Sequence, residues 1–398
     1  MVTYPKDWIP IKLKDLGCIQ MCRRIFQSQT KAYGEIPFYK ISTFGDKADS
    51  YISGELYKRY KMLYPYPEKG DVLISAAGTI GKTIIFDGKD AYFQDSNIVW
   101  LKVNDKIDCN FLWWFYRSYP WNALEGTTIQ RLYNNIILNT EIHLPAKTEQ
   151  INIAKTLSEF DTYINDLAEL IEKKRGIRDG ALEDLICQRT RMEGFTGEWA
   201  NVSFNQVITP KARIGWQGLK KYEYLKSGYS YLIGGTDFDH GTVSLDNISF
   251  VSQERYDMDV NIQVSENDVL VTKDGTIGKV AIVPCLKKPA TLNSGVFVFR
   301  TYDRLLPTFL YRVLLSSVFK GFIDTLSAGS TIKHLYQKDL KDFEFKMPVD
   351  LEEQKAIADT LTAMDEEIEA LENERDKMIQ IREGAMDDLL TGRIRLKA

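Results

Sequence analysis

The sequence predicts an α+β protein in which two globular mixed α/β heads alternate with two long helices that pair as an antiparallel coiled coil. Three observations predict it. The chain of 398 residues repeats itself in tandem. Two long stretches without proline carry apolar residues at heptad spacing. Charge is partitioned, with mildly basic heads and acidic connecting stretches.

The repeat is clearest at Gly70-Asp71-Val72-Leu73-Ile74-Ser75-Ala76-Ala77-Gly78-Thr79-Ile80-Gly81-Lys82. It returns 197 residues later as Asn267-Asp268-Val269-Leu270-Val271-Thr272-Lys273-Asp274-Gly275-Thr276-Ile277-Gly278-Lys279. A period near 200 residues marks duplicated domains and not a solenoid of small units. Each half opens on a Trp, Asp7-Trp8 and Glu198-Trp199. An early basic loop follows, Arg23-Arg24 in the first half and Lys211-Ala212-Arg213 in the second. Gly126-Thr127-Thr128-Ile129 and Gly329-Ser330-Thr331-Ile332 lie further along. The expected segments are head 1 over residues 1–145, a helical region over 146–198, head 2 over 199–348 and a second helical region over 349–398.

The helical regions match best. Glu149-Gln150, Asp161, Arg178, Asp184-Leu185, Arg189 and Arg191 reappear 204 residues later as Glu353-Gln354, Asp365, Arg382, Asp388-Leu389, Arg393 and Arg395. Helices are expected over 149–191 and 352–391. Ile153, Leu157, Phe160, Ile164 and Leu167, with Ile357, Leu361, Met364, Ile368 and Leu371, step by four and three residues as a coiled-coil seam does. A helix of about 40 residues is roughly 60 Å long, too long for one small head to bury, so the partner is the other copy. Gly176, Gly180 and Gly384 interrupt the pattern, either to let helices approach closely or where the ends fray.

Strand, glycine turn and strand make each Gly-Thr-Ile-Gly-Lys segment a β-hairpin, with Gly78, Gly81, Gly275 and Gly278 supplying positive φ. The spacing excludes a phosphate-binding loop, which requires four residues between its glycines before Gly-Lys-Ser/Thr.

Head 1 carries 18 Lys/Arg against 15 Asp/Glu, and head 2 the same; the connecting regions are acidic. Phosphate contacts need local Lys/Arg and not a basic whole. Five scattered cysteines suit a reducing cytoplasm. No apolar run is long enough for a membrane span, and no metal or catalytic constellation emerges. His143, His240 and His334 stand apart and read as ordinary structural residues.

Candidate DNA contacts come from residue type and repeat position. In the first half they are Arg23, Arg24, Gln27, Lys31, Lys58, Arg59 and Lys61, set among Tyr57 and Tyr60, with Thr79 and Lys82 at the hairpin tip. In the second they are Lys211, Arg213, Gln217, Lys220 and Lys221, near Trp216, Tyr222 and Tyr224, with Thr276 and Lys279. Arg and Gln can make bidentate contacts to guanine and adenine edges.

Together these features resemble the specificity subunit of type I restriction–modification enzymes. The resemblance covers the whole chain. It rests on the head–helix–head–helix order, the duplicated hairpins, Gly-Thr-Thr-Ile and Gly-Ser-Thr-Ile before each helix, Glu149-Gln150 and Glu353-Gln354 at the helix starts, and Leu389-Leu390-Thr391-Gly392-Arg393. The resemblance implies that each head is a target recognition domain reading one half of a split asymmetric site on double-stranded DNA. It implies that the helices set half-site spacing and dock two methyltransferase subunits, with two restriction subunits completing the complex. S-adenosylmethionine, ATP and Mg are then expected in those partners, with no cofactor in this chain, and the protein is expected to be cytoplasmic, non-catalytic and not membrane-bound. Two other readings are open. A structural adaptor would show no DNA preference, and a standalone nucleic-acid enzyme would act without partners.

Overall fold

A computed structural model describes residues 3–121, 131–214, 218–327 and 334–396. The Gly-Thr-Thr-Ile and Gly-Ser-Thr-Ile motifs, Trp216 and Gln217 lie outside them. The chain forms two compact units, residues 1–169 with 372–398, and residues 170–371. Each unit holds one head and half of each long helix.

The first head comprises β1 (Ile9–Lys12), β2 (Gly17–Gln20), β3 (Ile36–Tyr39), β4 (Tyr51–Ile52), α1 (Gly54–Leu63), β5 (Val72–Ser75), β6 (Thr83–Ile85), β7 (Tyr92–Phe93), β8 (Ile98–Val103), α2 (Cys109–Ser118), α3 (Asn134–Asn139) and β9 (Glu141–Leu144), before the helix α4 (Lys147–Ile186). Its main sheet runs β2-β8-β5-β6, a smaller one runs β4-β3-β7, and β1 pairs with β9. The predicted hairpin is β5–β6, with Leu73 opposite Ile84.

The second head comprises β10 (Trp199–Ser203), α5 (Phe204–Val207), β11 (Ile208–Ala212), β12 (Ser230–Ile233), β13 (Phe238–Asp239), β14 (Thr242–Val243), β15 (Ser249–Val251), α6 (Gln253–Asp257), β16 (Gln263–Val264), β17 (Val269–Thr272), β18 (Val280–Ile282), β19 (Ala290–Leu292), β20 (Val296–Thr301), α7 (Pro307–Leu315), α8 (Ser317–Ser327) and β21 (Glu344–Pro348), before the helix α9 (Leu351–Thr391). Its sheets run β11-β20-β17-β18-β14-β13 and β15-β12-β19-β16, and β10 pairs with β21. The first four strands of the larger sheet repeat β2-β8-β5-β6.

The central strands read as unbroken apolar runs because both their faces are covered. In β8, Val99 and Leu101 join a core with α2, Ile153 and Leu157, while Ile98 and Trp100 point into a second core under α1. In β20, Phe297 and Phe299 likewise face the helix-side core, while Val296 and Val298 face the distal one. Each head is therefore a sheet between two cores, one shared with the long helices and one beneath the region that differs between the heads.

The Glu-Gln pair at each helix start now has a physical reason. Gln150 Nε2 donates to Pro145 O and Lys106 O, and its Oε1 accepts from Asp108 N, at the start of α2. Gln354 repeats this with Pro348 O, Arg304 O and Leu306 N, at the start of α7. Each Gln ties the helix to its own head. Each Glu ties it to the other copy's tail. Arg395 donates to Glu149 at 2.6 and 2.7 Å and also pairs with Asp7. Arg191 donates to Glu353 at 2.9 and 2.8 Å. The Arg395 hydrogen bonds hold the Glu149 carboxyl below the usual range, against the opposing pull of burial.

A second duplicated lock lies further along. Asp161 accepts from Arg117 of α2 at 2.5 Å and from Arg382 of α9 at 2.7 Å. In the second unit Asp365 accepts from Arg312 of α7 at 2.5 Å and from Arg178 of α4. The partners run in opposite directions along the helices, so the pairing is antiparallel within each unit. Tyr163 with Glu374 in the first unit and Lys174 with Glu367 in the second add to it.

The predicted seam residues Ile153, Leu157, Ile164, Leu167, Ile357, Leu361 and Ile368 are buried, and Leu371 is half-buried. Ile153 and Leu157 share a core with Leu389 and Leu390 of α9, and Ile357 and Leu361 share one with Leu182 and Leu185 of α4. There the seam merges with the head core.

Two expectations about the helices need correction. The first helix stops at Ile186 and does not reach 191, because Gln188 adopts φ 59° and Arg189 N and Thr190 N both turn back to Asp184 O. Gly392 does the same at the end of α9 with φ 72°. Nor do Gly176, Gly180 and Gly384 permit close helix approach. All three lie inside the helices, and a Cβ added at any of them meets no atom within 4 Å. Gly180→Ala and Gly384→Ala are therefore each expected to stabilise the chain by about 1 kcal/mol, read as a rise in denaturation midpoint; a fall would reveal a packing role for the missing Cβ.

Candidate nucleic-acid interface

The hairpin turns are built alike in both heads. Ser75 Oγ donates to Thr79 O at 2.5 Å and accepts from Lys82 N at 2.9 Å. Thr272 Oγ1 takes the same place, donating to Thr276 O and accepting from Lys279 N at 2.9 Å. Gly78, Gly81, Gly275 and Gly278 have φ of 63°, 83°, 71° and 79°, as predicted. At Gly81 a Cβ would also lie 2.7 Å from Trp121. The turn leaves Thr79, Lys82, Thr276 and Lys279 exposed.

The repeated lysine has a structural role that the sequence did not reveal. Lys279 Nζ donates to the Phe238 carbonyl. Lys82 lies over the equivalent loop, where a Cβ on Gly45 would be 3.0 Å from its Cε. Both lysines lie over that loop while staying exposed.

In head 1, Arg23 and Arg24 line one cleft. Arg23 stacks over Tyr64 at 5.2 Å, and Arg24 pairs with Asp95 at 2.9 Å. Met21, Arg23, Arg24, Tyr64, Pro65 and Asp95 bound a shallow cleft of about 320 Å³. Gln27 and Lys31 are exposed on the following segment. Helix α1, capped by Ser53, buries Leu56 and Tyr57 and turns Lys58 and Arg59 outward. Lys61 is more committed: it donates to Tyr57 Oη at 2.7 Å and stacks over Tyr57 and Tyr66. Tyr57 Oη donates to Asp90 at 2.6 Å, which lowers that carboxyl, and burial raises the Tyr57 phenol.

Head 2 differs. Lys220 and Lys221 are exposed, with Lys220 over Tyr222 at 5.9 Å, and Lys211 on β11 is half-buried. Arg213 is not at the surface. It is 2 % exposed, with Nε donating to Leu292 O at 2.9 Å. Burial and the nearby Arg255 lower the pKa of its guanidinium. Strand register explains the correction. Gln20 opposes Trp100 on β8 as Lys211 opposes Val298 on β20, so Arg213 stands where Cys22 stands and not opposite Arg23 or Arg24. Cys22 is also 2 % exposed, and burial pushes its thiol up to about 12. The shallow depression of about 280 Å³ in head 2 includes Asp237 and Asp239 in its lining, carboxylates that do not suit phosphate. The shared frame thus carries unlike surfaces.

Two side chains near the hairpin ends have partners that the sequence did not reveal. Arg131 Nη2 donates to Ser96 O at 3.0 Å, and His334 Nδ1 lies 2.6 Å from Asp274 Oδ1. Their signal was the match of Arg131-Leu132-Tyr133 with His334-Leu335-Tyr336.

Among the described residues no group of His, Cys, Asp and Glu side chains could hold a metal ion, and no helix is long and apolar enough to cross a membrane.

Comparison with known proteins agrees with this geometry. The family model for the type I restriction modification DNA specificity domain matches twice, at residues 5–174 and 217–380. A putative type I restriction enzyme specificity subunit of Haemophilus influenzae is 51 % identical over 160 residues, which span 40 % of this chain and 42 % of that protein. A putative type I restriction enzyme specificity subunit of Methanocaldococcus jannaschii is 26 % identical over 99 % of this chain and 95 % of its own. The crystal structure of the type I restriction–modification S subunit from Mycoplasma genitalium shares the fold, with TM-score 0.63 at 18 % identity over 98 % of this chain and 97 % of its own. The chain belongs to the type I restriction–modification DNA specificity family and is a DNA-recognition subunit of such a system, not its catalyst.

Proposed function

We propose that the two heads, residues 1–145 and 199–348, each read one half of a split asymmetric sequence on double-stranded DNA. The helical regions 146–198 and 349–398 set the spacing between half-sites and dock two methyltransferase subunits, which two restriction subunits join. S-adenosylmethionine, ATP and Mg act in those partners, in the cytoplasm. The observation that carries this reading is the identity of the two frames beneath unlike heads. The Glu149–Arg395 and Glu353–Arg191 pairs, the Asp161 and Asp365 locks and both hairpin turns repeat. The surfaces around Arg23 and around Lys220 do not. Two readers of different sequences on one repeated frame have this pattern.

In the proposed mechanism, Lys and Arg on the phosphates set register, and base-edge contacts carry specificity. Readers on one face of DNA stand about one helical turn, roughly 34–36 Å, apart. Arg23, Arg24, Gln27, Lys31, Lys58, Arg59, Lys61, Thr79 and Lys82 supply the contacts of head 1. Lys211, Lys220, Lys221, Thr276 and Lys279 supply those of head 2, with Gln217 a further candidate. Arg213 drops out because it is buried.

The test is co-expression with the neighbouring methyltransferase subunit in a host without DNA methylation, followed by mapping of methyladenine. The expected result is a split motif with a modified adenine in each half. The double variant Arg23→Ala/Arg24→Ala should weaken binding of one half-site, with a reduced salt slope. A complex that forms and leaves no motif would favour the adaptor reading.

A further inference from the structure

At the end of each central hairpin three backbone segments meet. Ala76 N donates to Asn97 O at 2.7 Å, and Ala76 O accepts from Leu132 N at 2.8 Å. In the other head Lys273 N donates to Gly295 O at 2.9 Å, and Lys273 O accepts from Leu335 N at 2.8 Å. Leu132 and Leu335 are buried, and the tyrosines after them, Tyr133 and Tyr336, are 55 % and 53 % exposed. The two tripeptides are therefore held in one register beside the exposed turn. Only their first residue differs, Arg131 in one head and His334 in the other.

Both side chains are anchored at one end. Arg131 commits one guanidinium nitrogen to the carbonyl of Ser96, in the loop whose Asp95 also holds Arg24. His334 is 53 % exposed, and its contact with Asp274 through Nδ1 fixes the ring and presents Nε2. Arg131 is half-buried, and a polar group whose orientation is fixed by the protein is preorganised for recognition. An identical seat with a different occupant is what unlike half-sites require.

We propose that Arg131 and His334 are specificity-determining residues, each reading a base edge in the half-site of its own head. This rests on the function proposed above. Arg131 carries the fork that matches guanine O6 and N7, and His334 makes a single contact through Nε2.

The test uses the full chain in complex with its methyltransferase partner and a library of DNA duplexes with randomised positions, sequenced after selection. Wild type, R131Q and H334Q are compared. R131Q is expected to lose preference at one position of one half-site, roughly ten-fold, with the other half-site unchanged. H334Q is expected to do the same in the opposite half. Retained preference at the other positions of the affected half-site shows in each case that the variant head is folded. Wild-type selection of a split motif with unchanged base preferences in both variants overturns this inference alone. A uniform loss across a half-site also overturns it, because that marks a phosphate contact or a structural residue. No split motif from the wild type overturns the underlying function and the inference with it.

Discussion

Asp365→Ala is expected to lower the stability of the second unit by about 3 kcal/mol. Arg312 is the reason. Its side chain is 4 % exposed, and its guanidinium donates to Asp365 at 2.5 Å and to Thr362 at 2.8 Å. Removing the carboxylate leaves a buried cation without its counter-charge, which costs about 3–5 kcal/mol when the pair is fully buried. The lower end applies here because Asp365 is 32 % exposed and water reaches it. The equivalent Asp161→Ala should cost about 1 kcal/mol, since its partners Arg117 and Arg382 are 30 % and 18 % exposed and water reaches both charges. Denaturant unfolding of the full chain and both variants measures the difference. Combining Asp365→Ala with Arg312→Met should recover part of the loss, because the most deeply buried charge goes with its counter-charge, leaving only Arg178, which is 27 % exposed. Equal losses for Asp161→Ala and Asp365→Ala would show that burial of the arginine does not set the cost.

A heptad inserted into α4 alone, between Asp161 and Arg178, is expected to break one of the two locks. Asp161 and Arg178 are separated on α4 by the same number of residues as Asp365 and Arg382 on α9. Asp161 meets Arg382 in one unit and Asp365 meets Arg178 in the other. Lengthening one helix by two turns removes this equality, while a heptad in both restores it with the seam in phase. The single insertion should reduce assembly with the methyltransferase subunit, and the double insertion should restore assembly and change the spacer of the methylated motif. Size-exclusion chromatography of the co-expressed complex and methylation mapping report the two effects. A single insertion that assembles fully with an unchanged spacer would remove the ruler role from the helices.

Much of the frame was legible in the sequence because it rests on local chemistry. Both hairpins formed where glycines able to take positive φ separate apolar strands. The helices formed where apolar steps of four and three run without proline. Their ends were less legible. The sequence extended the first helix to 191, yet Gln188 turns the chain at the place that Gly392 marks in the second copy. A glycine announces that turn, whereas a glutamine forced to φ 59° does not. Of the two readings open for Gly176, Gly180 and Gly384, close helix approach fails, since they face open space.

The candidate interface was read less well. Arg213 shows this most clearly. Residue type and distance along the chain set it beside Arg23 and Arg24, but pairing of β11 with β20 sets it at the buried position of Cys22. Lys279 looked like a bare phosphate contact, and its ammonium also holds the Phe238 carbonyl. The contact of His334 with Asp274, distant in sequence, was not legible at all.

By itself, then, the sequence determined the duplication, the two hairpins, the two heptad helices and the family, because repeats, φ preferences and periodicity are properties of neighbouring residues. Only the tertiary structure decided which basic side chains reach the surface, what Glu149 and Glu353 hold, and that Arg131 and His334 share one seat. Burial and long-range pairing depend on strand register and on which faces the core covers, and no residue carries that information alone.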